Sequence, residues 1–221
     1  MSEGKLRLRF EKCGRAVYIS HLDLMRTMQR AFQRAGYGLK YSEGFNPHPI
    51  LSILLPLSVG VSSVCELMDF SLTEETELSA LPERLTAAMP EGIRVLEAYK
   101  AARKVKELKW LQITGTLEYD TADPQTMRDG LQRFFARETI VIRRKTKRGE
   151  GESDIAPAIR SIGFTAGEGA VELSAVISAQ EPTLNPDHMI AALNQLAPEL
   201  APDFAEFTRR EVYDAAMKVF R

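Results

Sequence analysis

The period of the apolar residues switches between two and roughly 3.6 along the chain, and that switching predicts a mixture of strands and helices. In LRLRF (6–10), Leu6, Leu8 and Phe10 alternate with Arg7 and Arg9, as in a half-buried strand. Ser20 can then cap a helix, with Asp23 completing a capping box. The core face of that helix would be Met25, Met28, Phe32 and Ala35, and Gly36 is a natural stop. On another face Arg26, Arg30 and Arg34 recur every fourth residue and form one basic stripe.

LKYSEGFNPHP (39–49) excludes a helix interior through its glycine and prolines and reads as an ordered loop. The apolar stretch ILSILLPLSVGV (50–61), interrupted by Pro56, and CELMDFSLT (65–73) both have strand character. A helical pattern over 74–89 stops at Pro90-Glu91-Gly92, and IRVLEAY (93–99) is again a strand. Strand, helix, strand, strand, helix, strand is the split βαβ plan of a ferredoxin-like unit. KAARKVKELK (100–109) is a basic linker or a strand extension. The order then recurs: a strand at 110–119, a helix opened by Asp123-Pro124, a strand at 139–145 and a flexible loop at 147–157. SIGFTA (161–166) and AVELSAVISA (170–179) supply further strands, a helix spans 186–197 behind Asn185-Pro186, and a final strand spans 204–213. The expected fold is therefore α+β, two tandem ferredoxin-like (βαββαβ) units with antiparallel sheets, bounded as 1–105 and 106–221.

The chain has 221 residues, 44% apolar and 27% charged, which is enough to bury a core and argues against disorder. No run approaches the roughly 20 apolar residues of a membrane span, and the opening MSEGKLRLRF lacks the apolar stretch of a signal peptide. A soluble, cytoplasmic protein is the expectation. Cys13 and Cys65 are too few for a cysteine-rich zinc site or an iron–sulfur cluster and read as structural thiols. The net charge of −1 conceals basic segments at 1–60 and 101–150 alternating with acidic ones at 61–100 and 151–221. Indiscriminate polyanion binding is disfavoured, while a local phosphate-binding patch remains compatible with this pattern. The run Arg143-Arg144-Lys145 with Lys147-Arg148 is either an extension of such a patch or a solvated strand edge.

The densest polar cluster joins Ser20, His21 and Asp23 to Tyr41-Ser42-Glu43-Gly44-Phe45-Asn46-Pro47-His48. A structural reading makes Ser20 and Asp23 caps and lets both histidines bond the loop backbone. A functional reading makes imidazole beside Tyr41 and the arginines a proton carrier or phosphate contact. His21 and Asp23 leave a helix in different directions, so they are a poor metal pair and no metal site is expected. The chain has neither a Walker-type phosphate loop, nor a dinucleotide fingerprint, nor a Gly-x-Ser-x-Gly elbow. Phe45 and Tyr41 beside Arg26, Arg30, Arg34 and Lys40 provide the stacking surfaces and the cations that RNA recognition uses.

YISHLDLMRTMQRAFQRAGY (18–37) and YSEGFNPHP (41–49) together resemble the radical SAM-linked proteins, a bacterial family of undetermined role. Its members occur alone or carboxy-terminal to a cobalamin-binding radical SAM domain, often encoded beside an RNase E/G-type ribonuclease. The resemblance continues through LPLSVGVSSVCELMDF (55–70), with Glu66 and Asp69 at the family's acidic positions, and is weaker beyond residue 110. Ala156 in SDIAP (153–157) and Ile50 after His48-Pro49 stand where the family has basic residues.

The resemblance implies a partner of a radical SAM enzyme, since the enzyme's cluster typically needs three closely spaced cysteines. S-adenosylmethionine, the iron–sulfur cluster and a cobalamin would then sit on the partner, with no cofactor on this chain. The leading expectation is a noncatalytic accessory module recruiting a substrate, RNA, for modification. Ser20, His21, Asp23, Arg26, Arg30, Lys40, Tyr41, Ser42, Gly44, Phe45, Asn46 and His48 would form its binding surface. One alternative is a metal-independent RNA endonuclease using His21, Tyr41 and His48. Another is a protein-docking module without RNA binding, built on the apolar LSILLPLSVGV segment.

Overall fold

The computed structural model describes residues 5–146 and 149–221 and has a mixed α+β fold. The chain divides into two compact units, Met1–Glu107 with Phe220–Arg221, and Leu108–Val219.

In the first unit β1 (Leu6–Lys12), α1 (His21–Arg34), β2 (Leu51–Ile53), β3 (Ser62–Phe70), α2 (Leu81–Ala87) and β4 (Ile93–Lys100) follow one another. The sheet is antiparallel, in the order β4-β1-β3-β2, with Leu8 opposite Met68 and Ala98. Alternation places Leu8 and Phe10 on one face, where they share a core with Met68 and Phe70 of β3, Leu24, Met28 and Phe32 of α1, and Leu81 and Leu85 of α2. Both helices therefore cover the same face. Phe32 and Phe70 meet across it as tilted rings with centroids 5.0 Å apart.

The ends of α1 follow local chemistry. The Ser20 hydroxyl accepts from Asp23 N–H at 3.2 Å, which starts the helix. At the other end Gly36, at φ +80°, lets Tyr37 N–H donate to Phe32 O and Gly36 N–H to Gln33 O, a Schellman stop. Met28, Phe32 and Ala35 are buried as the periodicity predicts, joined by Leu24 and Ala31, while Met25 packs at the core's edge.

Two segments depart from expectation. The helical pattern over 74–89 yields only Leu81–Ala87, because Pro82 belongs in a first turn and sets the start there. The apolar stretch 50–61 contributes a strand of three residues, Leu51–Ile53, before the chain turns ahead of Pro56.

The second unit runs β5 (Leu108–Glu118), α3 (Pro124–Phe135), β6 (Val141–Thr146), β7 (Gly149–Asp154), β8 (Ile159–Ala166), β9 (Ala170–Ser178), α4 (Pro186–Leu196) and β10 (Phe204–Asp214). β10, β5, β9 and β8 lie side by side in that order, all antiparallel. Asp123 caps α3 and Asn185 caps α4, each followed by proline at the first helical position. Tyr119 donates its hydroxyl to Leu200 O at 2.9 Å, and burial, followed by the charge of Asp203, pushes that hydroxyl up to about 12.

β6 and β7 form a separate two-stranded ribbon. The stretch expected to be a flexible loop thus contains a strand, although GEGESD has little intrinsic strand preference. In register, Arg143 lies opposite Glu152. Gln195 of α4 holds the ribbon by accepting from Arg143 N–H and donating to Arg143 O.

Candidate functional site

Residues 40–50 form a closed loop rather than an open one. Lys40 N–H donates to Ser71 O, Ser71 N–H to Ile50 O and Ile50 N–H to Lys40 O, so the mouth of the loop is tied to the chain just after β3. One step further out, Tyr41 pairs with Pro49, and Ser42 N–H donates to His48 O at 2.8 Å. The Ser42 hydroxyl accepts from His48 N–H at 3.1 Å and lies 2.9 Å from His48 Nδ1. That hydroxyl can give its proton to a neutral ring or accept from a protonated one, so the brace holds in both states of the histidine. Asn46 O lies 3.5 Å from the same ring nitrogen.

The brace leaves the tip in water. Glu43, Gly44, Phe45, Asn46 and Pro47 are all exposed, with Gly44 at φ +118°, a backbone conformation that side chains disfavour. Phe45 is fully exposed. Burying such a ring against a partner would recover about 1.5–3 kcal/mol. Tyr41 is half-exposed, and its hydroxyl oxygen accepts from Gln29 Nε2 at 3.3 Å. Gln29 joins the loop to α1 beside Arg30 and one turn from Arg26, a link that no pattern in the sequence signals.

The cap of α1 is a second, self-contained network. Asp23 accepts from Ser20 Oγ at 2.8 Å and from Arg26 Nη1 at 3.1 Å. Those bonds, Ser20's first, hold the Asp23 carboxyl below its ordinary value. Ser20, Asp23 and Arg26 therefore satisfy one another, and His21 stands exposed in the first turn of the helix. Eight positions separate His21 from Gln29, about 12 Å along a helix axis. Among the described residues no hydrogen bond joins His21 to Tyr41 or His48.

The basic stripe has different fates along its length. Arg26 serves Asp23, Arg30 is exposed, and Arg34 donates to Ala88 O at the end of α2. Arg84 of α2 returns the contact by donating to Ala35 O at 2.8 Å, its guanidinium 4.8 Å from the Tyr37 ring centroid. Each helix thus supplies an arginine to the carbonyl end of the other, where cations are favoured. In the second basic run Arg143 faces Glu152 at 3.8 Å, and Lys147 and Arg148 lie outside the described residues.

A polar pair within the first unit also escapes a reading of the sequence. Arg7, 1% exposed, donates to Asp69 through Nε at 2.6 Å and Nη2 at 3.2 Å, and Nη2 also reaches Arg103 O. The Phe220 ring lies under this guanidinium, 5.1 Å from it. Alternation with Leu6 and Leu8 is equally compatible with a wet face, which is why the burial of Arg7 is not legible in β1. Glu66, the other acidic position singled out, is buried as well.

No group of three or more His, Cys, Asp or Glu side chains placed to hold a metal ion occurs among the described residues. No described helix is long and apolar enough to cross a membrane.

One comparison with a solved structure agrees with the mixed fold. The chain is similar to one in a crystal structure of a Cbf5-Nop10-Gar1 complex, with a TM-score of 0.51 and 12% identity. That alignment covers 94% of this chain and 48% of the other, so this chain spans about half the length of its structural relative. A crystal structure of an unknown protein from Galdieria sulphuraria aligns over 93% of this chain and 98% of that one, with 9% identity and a TM-score of 0.27. No curated protein matches the sequence. A family model matches residues 5–186, most of the chain. The protein therefore belongs to the family described as "Uncharacterized protein conserved in bacteria (DUF2344)".

Proposed function

We propose that the protein is a noncatalytic RNA-binding module that presents single-stranded RNA to a radical SAM modification enzyme in the bacterial cytoplasm. The observation that carries this reading is Phe45, a fully exposed aromatic ring on a loop whose stem is braced by Ser42 and His48. A ring held out by a rigid stem offers a stacking platform at low entropic cost, and base stacking on such rings contributes about 1–3 kcal/mol per base. Arg30 and Lys40 would attract the phosphates, while Tyr41, Ser42, Gly44, Asn46 and His48 shape the platform. Ser20, Asp23 and Arg26 order the neighbouring helix terminus that carries His21. The ferredoxin-like reading of each unit rests on the strand orders β4-β1-β3-β2 and β10-β5-β9-β8, both of which follow the split βαβ plan. The link to a radical SAM enzyme rests on the resemblance of the SHLD and YSEGFNPHP segments, and the partner would carry the S-adenosylmethionine, cluster and cobalamin.

Fluorescence anisotropy with a mixed-sequence single-stranded RNA tests the proposal. Phe45→Ala is expected to lower affinity by roughly tenfold while leaving the urea unfolding midpoint unchanged, since the ring contributes nothing to the core. Arg30→Ala should flatten the dependence of affinity on salt, because fewer counterions are released. Equal affinities for the wild type and Phe45→Ala would reject the loop as the RNA surface.

A further inference from the structure

A cleft of about 620 Å³ opens between the carbonyl ends of α1 and α2. Arg30, Arg34 and Arg84 line it, with the Thr27 hydroxyl, and no carboxylate is among its lining residues. The volume lies within the range of roughly 300–1,000 Å³ usual for small-molecule sites.

The charge of the cleft follows from counting. Three guanidinium groups bring three positive charges, and each helix carbonyl end opposes them with at most about half a negative charge, less for the short α2. About two positive charges remain, which matches a phosphate monoester better than a carboxylate. Two of the three arginines are already oriented: Arg34 by Ala88 O, and Arg84 by Ala35 O and the Tyr37 ring. Each uses one N–H of its five in the bond to a carbonyl, so the planar forks keep donors for oxygens that need two at once. Met89 and Pro90, which follow α2, add an apolar part to the lining against which a flat ring can pack.

From these features we infer that the cleft binds a nucleotide through its terminal phosphate, with the base against Met89 and Pro90. The shared chemistry is a phosphate monoester on a nucleoside, found on a free mononucleotide or at the 5′ end of an RNA strand. The cleft shares Arg30, and no other residue, with the proposed RNA surface, so the inference stands without the loop and Phe45→Ala separates the two.

Isothermal titration calorimetry of the full chain with adenosine 5′-monophosphate and with adenosine tests it. Saturable binding of the nucleotide but not of the nucleoside is expected. Arg30→Gln should weaken that binding about tenfold, as loss of a charge-assisted contact does. Arg30 is the informative position because Arg34 and Arg84 also hold the two helices together. Arg26→Gln and Phe45→Ala, both outside the cleft, should leave the affinity unchanged, and circular dichroism checks that each variant is folded. Equal binding of nucleotide and nucleoside, or an Arg30→Gln variant that binds like the wild type, overturns the inference. So does a loss of nucleotide affinity in Phe45→Ala, which would move the ligand to the loop. Competition then separates the sources. Displacement by a 5′-phosphorylated RNA but not by its 5′-hydroxyl counterpart identifies a strand end, and nucleotide binding that neither RNA displaces identifies a free nucleotide.

Discussion

The two units share a strand order and treat the polar face of the sheet in opposite ways. In the first, Arg7 of β1 is 1% exposed, bonded twice to Asp69 and covered by Phe220. In the second, the corresponding face of β5 carries Thr114 and Thr116, which bond Arg210 and Glu172, both exposed. The alternation of the strands is the same in both. What differs is the cover over the polar face, and with it the dielectric in which each charge sits.

The largest expected effect breaks this comparison directly. Asp69→Ala leaves the Arg7 guanidinium buried without its counter-ion and should cost about 3–5 kcal/mol of stability. Glu172→Ala, on the open face of the second unit, should stay within about 0.5 kcal/mol. Urea unfolding of both variants is the measurement, and similar losses would mean that the two faces are equally wet.

A smaller effect sharpens the comparison through pH. His188 accepts from Asn185 N–H through Nδ1, which requires a ring nitrogen without a proton. Burial first, and then the nearby charge of Arg144, lowers the tendency of His188 to protonate, against the pull of Asp187. The folded state therefore prefers the neutral ring more than the unfolded chain does. Its contribution to stability is complete above the ordinary value of 6.5 and is lost as pH falls from there through the lower folded value. Thermal midpoints between about pH 7.5 and pH 5 should fall further for the wild type than for His188→Gln, which keeps the capping geometry without the charge. Parallel falls would remove His188 as the cause.

The smallest effect concerns the ribbon. Arg143 and Glu152 face each other at 3.8 Å with both side chains mostly in water, so Arg143→Gln should leave the unfolding midpoint where it was. A clear loss would show that charge, rather than the Gln195 clasp, holds β6 and β7 in place.

What was legible in the residues divides along the same line. Ser20, Asp123-Pro124 and Asn185-Pro186 announce helix starts correctly, because a cap is satisfied by N–H groups two or three positions away. Met28 and Phe32 announce a core face, since helix geometry sets which residues share it. The short extent of α2 follows from Pro82, a local signal available in the sequence. The strand at Gly149–Asp154 was not legible, because the Gln195 clasp that holds its ribbon comes from a helix distant in the sequence. Within the candidate site the loop and its composition were visible, whereas the Gln29 contact to Tyr41 and the crossed arginines of α1 and α2 were not.

Local hydrogen bonding and periodicity act over a few residues, and through them the sequence alone determined most of the elements, their caps, the ordered loop and the exposed aromatic within it. Tertiary structure alone decided that Arg7 is buried, that β6 and β7 form a ribbon apart, and that Arg30, Arg34 and Arg84 line one cleft. Burial and charge pairing depend on residues as far apart as Arg34 and Ala88, and only the folded chain brings those together.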